Sequence, residues 1–414
     1  MFYISCIFNV VIFTTFIIDS YIINNMKSPR SLWGKRIILN GPKENKELMS
    51  PFDGSGHITS VVFHENHTIV SETILPDEKG MTFPLSDFLK RNYLELMRKL
   101  PYVVSNPYKV QSGTRNTAVC KYNNQLYATE ESCVPIKLYY DSGDNILSSG
   151  ISTDIDRMSP HMIDDYTFFS YIHYVKYPIK INNTFHVPWS PKQYPFLIHD
   201  GKNTEDNKFY IFPLMSTSMG NLWKYFTCII NIPFDGRSKK FSWLIYNREN
   251  NNTFEIKTNE FADVFHISSI KKLYNNVHKI HASFVYNFSN WICGKGNIDI
   301  RLKEIIIDLD TQKIIDVIDT GLKIDFVHKY GNKLIGSCLN EDPSVIIYDI
   351  ISKTYNILSL PGKSVREVIP YKGLLLYFSH ELHKSYLYVV DFYGNIINKI
   401  NVPHRLPGFH TTLF

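Results

Sequence analysis

From Ile58 onward, the sequence consists largely of short runs of β-branched and aromatic residues separated by polar turns. Runs such as KFYIFPL, SVIIYDI and SYLYVVDF are seven or eight residues long, and most runs of this kind are bounded by Asn, Asp, Gly or Lys. Short strands at regular spacing are typical of all-β sandwiches, barrels and propellers. Strand-turn-strand pairs such as EIIIDLDTQKIIDVID favour the outer hairpin of a propeller blade. No exact repeat fixes the number of blades.

Two stretches interrupt this pattern and are predicted to be helical. In FPLSDFLKRNYLELMRKLP, Ser86 is a candidate N-cap and Pro101 ends the run. One apolar stripe is formed by Leu89, Tyr93, Leu96 and Leu100. The second predicted helix covers Ser268 to Tyr274. We expect such helices to pack over one face of the sheets.

The composition permits one large domain and argues against a nucleic-acid partner. The chain has 414 residues, of which 44% are hydrophobic and 14% aromatic, enough for a substantial core. Its net charge of +5 is dispersed, without a basic run or a nucleic-acid-binding motif. The six cysteines are scattered and form no C-x-x-C pair, so we expect reduced core thiols rather than disulfides.

The N-terminal segment, residues 1–30, is apolar and has three interpretations. Asn9 and Asp19 interrupt it, and the uninterrupted part is short for a membrane span. It lacks the basic start and small-residue cleavage site of a signal peptide, while Lys27 and Arg30 suit an anchor whose C-terminal side is cytoplasmic. An anchor, a signal peptide or a segment that is not translated, with synthesis starting at Met26, all remain open.

Four histidines stand within distinctive local patterns. They are His161 in SPHMIDD, His199 in PFLIHDG, His266 in DVFHISS and His410 in PHRLPGFH. Neutral imidazole is a common ligand of Zn, Cu, Fe and Ni, so four of them could hold one metal ion. They are too far apart in sequence to share a helix or a loop, unlike the two histidines of an H-E-x-x-H motif. A fold that returns repeatedly to a central axis would bring them together.

These patterns resemble those of the carotenoid cleavage oxygenase family, in order from about Leu39 to Phe414. LNGP and FDGSGHITSVVF resemble the opening segments of the family, and RNTAVCKYNNQLYATEESCVP resembles its "NT-V" stretch. SPHMIDDYTFFSY, PFLIHDGKNTEDNKFYIFPL and VFHISSI resemble the patterns around its first three iron ligands. SVREVIPYKG, LYVVD and PHRLPGFH reproduce its closing order.

The resemblance implies the architecture and the metal. It implies a seven-bladed β-propeller comprising residues 31–414, with a helical and loop cap over an axial metal site. The cap would hold a substrate tunnel and a non-polar patch that docks on membranes. Softness of the ligands does not select Fe(II) over Cu, Ni or Zn; the resemblance implies Fe(II), held by His161, His199, His266 and His410.

Family members orient three of the four ligands with glutamates, and two can be placed in this sequence. Glu131, with the neighbouring Glu130 as the alternative, corresponds to the glutamate four residues before Pro135. Glu367 in SVREVIP corresponds to the glutamate of the family's "EP-FVP" pattern. The third normally begins an "EFP-I-D" pattern, but VIDTGLKIDFVHKYG contains no glutamate. Asp319, or Thr320, lies nearest and is the predicted substitute.

The resemblance implies cleavage of a conjugated C=C bond of a carotenoid or apocarotenoid by O2, giving two carbonyl products. Alternatives on the same scaffold are stilbene-type alkene cleavage and isomerohydrolysis of a retinyl ester. A non-enzymatic propeller that binds a polyene or lipid is the third alternative, favoured by the missing glutamate and the compact length. For the enzyme we expect a cytoplasmic location with peripheral membrane contact, unless the N-terminal segment is an anchor or signal.

Overall fold

The computed structural model describes residues 20–24, 28–42, 56–75, 115–130, 134–152, 154–171, 176–191, 196–216, 240–286, 298–339, 343–362, 365–381, 384–402 and 410–414. Within these ranges the chain forms seven antiparallel sheets, each of four or five strands. The only helix in them is a single 3-10 turn, Arg30–Leu32. The prediction of an all-β propeller with seven blades is therefore confirmed.

The blades follow one another around the ring in chain order, and the last strand of the chain completes blade 1. Blade 1 contains β1 (Ser20–Asn24), β2 (Arg36–Pro42), β3 (Gly56–Phe63), β4 (His67–Ile74) and β30 (His410–Leu413). Blade 2 contains β5 (Ala118–Tyr122), β6 (Gln125–Thr129), β7 (Ile136–Tyr140) and β8 (Ile146–Ile151). Blade 3 contains β9 (Met162–Asp164), β10 (Thr167–Tyr171), β11 (Ile179–Ile181) and β12 (Phe185–His186).

The remaining blades follow the same plan. Blade 4 contains β13 (Phe196–Leu197), β14 (Lys202–Asn203), β15 (Phe209–Ser216), β16 (Ser242–Asn247) and β17 (Asn252–Lys257). Blade 5 contains β18 (Asp263–Tyr274), β19 (Val277–Val285), β20 (Ile300–Asp308) and β21 (Lys313–Asp319). Blade 6 contains β22 (Asp325–Tyr330), β23 (Lys333–Cys338), β24 (Ser344–Asp349) and β25 (Tyr355–Ser359). Blade 7 contains β26 (Val368–Tyr371), β27 (Leu374–Glu381), β28 (Lys384–Asp391) and β29 (Ile396–Val402).

The second predicted helix was wrong. Residues Ser268 to Tyr274 continue β18, which pairs with β19 from Asp263 opposite Val285 to Tyr274 opposite Val277. Pairing along a long, β-branched partner strand outweighs the weak helical pattern of so short a run, because strand propensity depends on cross-strand packing. The first predicted helix, residues 83–101, lies outside the described residues.

The ring is closed by the last strand of the chain. The C-terminal strand β30 pairs antiparallel with β2, with His410 opposite Asn40 and Leu413 opposite Ile37. It is thereby the innermost strand of blade 1, whose order is β1-β4-β3-β2-β30. Closure in this way leaves no free inner edge between the first and last blades, and it carries His410 to the axis.

The hydrophobic core is divided into layers between neighbouring blades. Each of the seven interfaces has its own buried cluster, and the largest lies between blades 4 and 5. Between blades 3 and 4, the rings of Phe169 and Phe212 pack edge to face with centroids 5.2 Å apart. Gly201 lies against this pair, and a Cβ there would come within 2.5 Å of the Phe212 ring. Cys120 and Cys338 are buried in these layers and form no disulfide, as expected.

The described propeller begins before residue 31. Strand β1 pairs with β4 from Ser20 opposite Ser71 to Asn24 opposite His67, so it forms the outer edge of blade 1. The buried Ser28 lies within hydrogen-bonding distance, 3.4 Å, of Thr68 in β4. Among the described residues, no helix is long and apolar enough to cross a membrane.

Candidate metal centre

Four innermost strands deliver the four predicted histidines to the axis. His161 directly precedes β9, and His199 stands three residues before β14. His266 lies within β18, and His410 is the first residue of β30. Because the innermost strand of every blade faces the propeller axis, residues far apart in sequence meet there.

The four imidazoles form one compact group. Their candidate ligand atoms all lie within 4.8 Å of one another, and the Nε2 atoms of His161 and His199 are 3.1 Å apart. Two imidazole nitrogens bound to one ion at about 2.0–2.1 Å, the bond length for zinc, are about 3 Å apart when adjacent. The group therefore has the size of a coordination shell around a single ion.

His266 provides the clearest sign that the group is built to hold a metal. Its Nδ1 donates a hydrogen bond to Asp325 Oδ1 at 2.8 Å, while its Nε2 is buried and has no partner. A buried nitrogen without a partner is costly and rare in folded proteins. With Nδ1 as the donor in the neutral ring, Nε2 carries a lone pair, which is the state a metal ligand requires.

The carboxylate of Asp325 also sets the charge balance around His266. Burial acts to lower the pKa of His266, but the charge and hydrogen bond of Asp325 outweigh it, and the pKa is raised. Burial acts to raise the pKa of Asp325, and the contact with His266 outweighs this effect, so the pKa of Asp325 is lowered. The pair is therefore mutually stabilised within the protein interior.

Glu367 holds His410 in the same manner. Its Oε2 accepts hydrogen bonds from His410 Nδ1 at 3.2 Å and from the backbone N–H of Thr411 at 2.5 Å. Burial acts to raise the pKa of Glu367, but His410 and His328 hold it well below its usual value. Burial lowers the pKa of His410 against the opposing effect of Glu367, so His410 is neutral near pH 7.

Backbone contacts around His199 tie it to the neighbouring blades. Ser159 donates a hydrogen bond to the carbonyl of His199 at 3.3 Å. Asp200, next to His199, accepts from the backbone N–H of Ile267 at 2.8 Å, which ties it to the strand that carries His266. Burial, followed by the neighbouring histidines, holds the pKa of His161 well below its usual value, so its ring is neutral.

Hydrogen bonds connect neighbouring blades at every step around the axis. In blade order, the pairs are Asn40–Ala118, Cys120–Pro160, Ser159–His199, Ile267–Asp200, His266–Asp325, His328–Glu367 and His410–Glu367. Three of these seven pairs include one of the four histidines directly through its side chain or its carbonyl. The positions of the histidines are therefore set by the same contacts that hold the blades in a ring.

The predicted carboxylates have different outcomes in the structure. Glu367 lies beside His410, where the sequence placed it. Glu131 lies outside the described residues, and the alternative Glu130 accepts a hydrogen bond from the backbone N–H of Arg115 at 3.1 Å. The prediction of Asp319 was wrong, because it is exposed and pairs with Arg301 at 3.5 Å. Thr320 instead donates to the carbonyl of Leu302.

Asp325 occupies the position expected of the third carboxylate, and sequence reasoning missed it. The family pattern has a glutamate here, and this sequence has none in VIDTGLKIDFVHKYG. The signal that identifies it is the dipeptide Asp325–Phe326, which stands where the family pattern has Glu–Phe. An aspartate is one methylene shorter than a glutamate. Asp325 nevertheless lies 2.8 Å from His266, at a position where the pairing of β22 with β23 is irregular.

A cavity of about 670 Å³ reaches the group from one side. Its lining residues include His161 and His410, together with Asn123, Tyr166 and Phe414. Phe265 and Phe326 pack against the imidazoles, with ring centroids 5.3 Å from His199 and 4.9 Å from His266. Aromatic walls of this kind exclude water from part of the site.

The donor set fits a first-row transition metal ion with open positions. Four imidazoles and no carboxylate make up the group, so a dication bound there would keep its full charge. Four ligands leave up to two positions free in six-coordinate geometry, and an open position is characteristic of a catalytic rather than a structural site. The residues present therefore suit a reactive metal centre.

Comparisons with known proteins agree with this architecture. No protein-family model and no curated protein matches the sequence. A variant of the apocarotenoid oxygenase of Synechocystis superposes with a TM-score of 0.70 at 15% identity, covering 97% of this chain and 96% of that one. The chain has the fold of the carotenoid cleavage oxygenases.

Two further structures with the carotenoid cleavage oxygenase fold show how widely the likeness extends. A cobalt-substituted form of the Synechocystis apocarotenoid oxygenase has a TM-score of 0.69 at 15% identity, with 96% of each chain covered. The lignostilbene dioxygenase of Pseudomonas brassicacearum has a TM-score of 0.65 at 14% identity, with 95% of each chain covered. The whole propeller is therefore shared with carotenoid cleavage oxygenases, well beyond the histidine motifs.

Proposed function

We propose that this chain is a carotenoid cleavage oxygenase, a non-heme Fe(II) dioxygenase that cleaves a conjugated C=C bond of a carotenoid or apocarotenoid. The observation that carries the proposal is the group of four histidines at the axis, with ligand atoms within 4.8 Å of one another. Both atoms of O2 would enter the two carbonyl products, so the reaction needs no external reductant. The shared fold and the order of the sequence motifs support the same assignment.

In this proposal His161, His199, His266 and His410 hold Fe(II), which when bound supplies the activation of O2. The choice of iron rests on the family resemblance, since imidazoles also suit zinc, copper and nickel. Asp325 and Glu367 fix the ring orientations of His266 and His410 by accepting hydrogen bonds from their Nδ1–H groups. Such outer partners keep the Nε2 lone pairs directed at the ion.

The surrounding side chains would protect the reacting polyene from water. Phe265 and Phe326 lie against the histidine rings and supply apolar surface next to the centre. A dry site suits a substrate that has no polar groups along its conjugated chain, and it suppresses competing reactions with water. We propose no acid or base among the described residues, because the overall reaction transfers no proton.

The proposal includes peripheral contact with a membrane. A carotenoid dissolves in lipid and must leave the bilayer to reach a buried centre, so the enzyme must approach the membrane surface. A cytoplasmic location is part of the same proposal. The apolar patch implied by the family resemblance would be the docking surface.

The test is oxidative cleavage by the full chain in living cells. Bacteria that accumulate β-carotene are made to express the protein with added iron, and the pigment is then analysed by mass spectrometry. The matched controls are His266→Ala, which removes a proposed ligand, and Asp319→Asn, which changes an exposed carboxylate away from the centre. We expect bleaching with the parent chain and with Asp319→Asn, and none with His266→Ala. Incubation under 18O2 should label both carbonyl products.

The products also discriminate among the alternatives. Retinal alone would indicate cleavage at the central bond, and unequal apocarotenals would indicate an eccentric bond. If iron-loaded protein leaves β-carotene intact, apocarotenoids, stilbenes and retinyl esters are tested in turn. Retinol without 18O incorporation from O2 would identify an isomerohydrolase. Turnover of none of these by protein that binds a polyene would support the non-enzymatic alternative and overturn the proposal.

A further inference from the structure

Strand β22 contains a β-bulge beside the metal centre. Its pairing with β23 passes from Asp325 opposite Ser337 directly to His328 opposite Ile335. Phe326 and Val327 therefore face a single residue, Gly336. A bulge adds one residue to one strand and changes the direction in which the following side chains point.

This bulge allows two side chains of the same strand to reach the axis. In a regular strand, residues three positions apart point to opposite faces of the sheet. With the extra residue, Asp325 reaches His266 at 2.8 Å, and His328 reaches Glu367 at 2.8 Å. One bulge thus places Asp325 beside His266 and places His328 beside Glu367, which in turn contacts His410.

The bulge places one bulky residue in an unfavourable backbone conformation. Phe326 has a φ of 51°, in the left-handed region that a bulky residue seldom adopts. Its ring is held by the centre, with centroids 4.9 Å from His266 and 5.2 Å from His410. On the partner strand, a Cβ at Gly336 would lie 2.7 Å from Val327 Cγ2, so the bulge requires glycine there. Local strain of this kind is found at functional sites.

His328 provides the hydrogen-bond donor for the second carboxylate oxygen of Glu367. A carboxylate can only accept, so His328 Nε2 donates to Oε1, while Oε2 accepts from His410 Nδ1 and from the N–H of Thr411. Glu367 is 8% exposed, whereas one third of the His328 side chain is exposed, and both line the same cavity. Without His328, Oε1 would lose its donor and the carboxylate could rotate away from His410.

We propose that His328 is a positioning residue for the metal centre: through Glu367 it sets the orientation of His410, while Asp325, from the same bulge, sets that of His266. This inference rests on the proposed function only in requiring that the four histidines bind a metal ion. The bulge of β22 therefore links the two ligand orientations, and His328 acts without touching the ion.

The test measures metal binding by the full chain with Co²⁺ as the probe, so it needs no substrate. Gln places an amide N–H near the position of Nε2, whereas Asn is too short to do so. We therefore expect His328→Gln to retain the Co²⁺ affinity and visible absorption spectrum. We expect His328→Asn to weaken affinity by about 10-fold or more, the usual effect of losing such a partner, and to alter the spectrum. The exposed His186, replaced as His186→Asn, is the control, and both of its readouts should stay unchanged.

A second comparison separates positioning from general stability. In a Glu367→Gln background, His328→Asn should produce little further loss of Co²⁺ affinity, because the residue it acts through is already altered. If His328→Asn does not fold, His328→Phe keeps a ring at the position without the N–H and takes its place. Unchanged affinity and spectrum in both the Asn and Phe variants would overturn the inference.

The test of His328 can fail or succeed separately from the proposed oxygenase activity. Loss of Co²⁺ affinity in His328→Asn, together with no cleavage of any polyene by the parent chain, would uphold the role of His328 and reject the oxygenase. Cleavage by the parent chain with unchanged Co²⁺ binding in the variant would uphold the oxygenase and reject the role of His328.

Discussion

His266 donates a hydrogen bond from Nδ1 to Asp325 Oδ1 at 2.8 Å, and the Nε2 of the same ring is buried without a partner. The carboxylate therefore fixes the tautomer and leaves the lone pair directed away from Asp325. We expect Asp325→Asn to lower metal affinity by about 10- to 100-fold, because an amide is a weaker acceptor for the ligand ring. Competition with a chromogenic chelator measures this.

Asp319→Asn is the matched control for this prediction. Asp319 is exposed and pairs with Arg301 in the same part of the chain, so its replacement should change metal affinity by less than about twofold. An equal loss in the two variants, or a loss only in Asp319→Asn, would contradict the assignment of Asp325.

The adjacent residues Glu130 and Glu131 test the register of the sequence motif. We predict that Glu131→Gln reduces metal affinity and activity while the protein stays folded, because the family resemblance assigns Glu131 the role of orienting a ligand. Glu130 accepts from the backbone of Arg115, so Glu130→Gln should mainly lower the melting temperature. The two variants are compared by metal content and thermal unfolding. If Glu130→Gln abolishes metal binding and Glu131→Gln is silent, the predicted register is displaced by one residue.

Deletion of residues 1–25 should leave the metal centre intact. Strand β1 is the outermost of the five strands of blade 1, whereas His410 lies on the innermost strand. Its removal exposes the edge of β4, so we expect a lower melting temperature and a greater tendency to aggregate. Metal content per chain should be unchanged. Loss of metal from a folded truncated protein would show that the N-terminal segment contributes to the centre.

A buried ion cluster away from the centre predicts how stability depends on pH. Glu304 accepts from Lys279 Nζ at 3.1 Å and His281 Nε2 at 3.4 Å. The His281 hydrogen bond and the nearby Lys279 hold the pKa of Glu304 at about 2, below its ordinary 4.5. As the pH falls, Glu304 therefore takes up a proton at a higher pH in the unfolded chain than in the folded protein. The contribution of Glu304 to stability is therefore complete above about pH 4.5 and is lost as the pH falls toward 2.

The measurement compares the parent chain with Glu304→Gln. The difference in their free energies of unfolding, obtained from urea titrations without metal, should be largest near pH 6 and should shrink below pH 4.5. Asp316→Asn, at an exposed position of the same blade, is the control, and it should show no comparable difference. A difference that is constant from pH 6 to pH 3 would contradict the assigned ionic role.

The strands and the four histidine motifs were predictable because their signals are local, whereas the seven blades were implied by the family resemblance. Alternation and turn residues identify strands, and each of His161, His199, His266 and His410 carries its own flanking pattern. The helix predicted from Ser268 to Tyr274 was wrong because cross-strand pairing with β19 decides that segment. Such pairing depends on a partner strand that no local pattern contains.

Asp325 and His328 could not be derived from spacing alone. Their roles depend on a bulge, and the bulge depends on Gly336 of the neighbouring strand and on an unusual φ at Phe326. Only the three-dimensional structure reveals that residues three apart on β22 both face the axis. Asp325 also stands where the family pattern has a glutamate, so the glutamate pattern does not identify it.

Metal analysis of the purified full chain tests the central claim most directly. We expect about one iron per chain after expression with iron, as four imidazole ligands to a single ion require. His161→Ala, His199→Ala, His266→Ala and His410→Ala should each lose that iron and all cleavage activity while remaining folded. Full iron content in any one variant would remove that residue from the ligand set. Full occupancy by zinc, with no activity restored by iron, would contradict the dioxygenase.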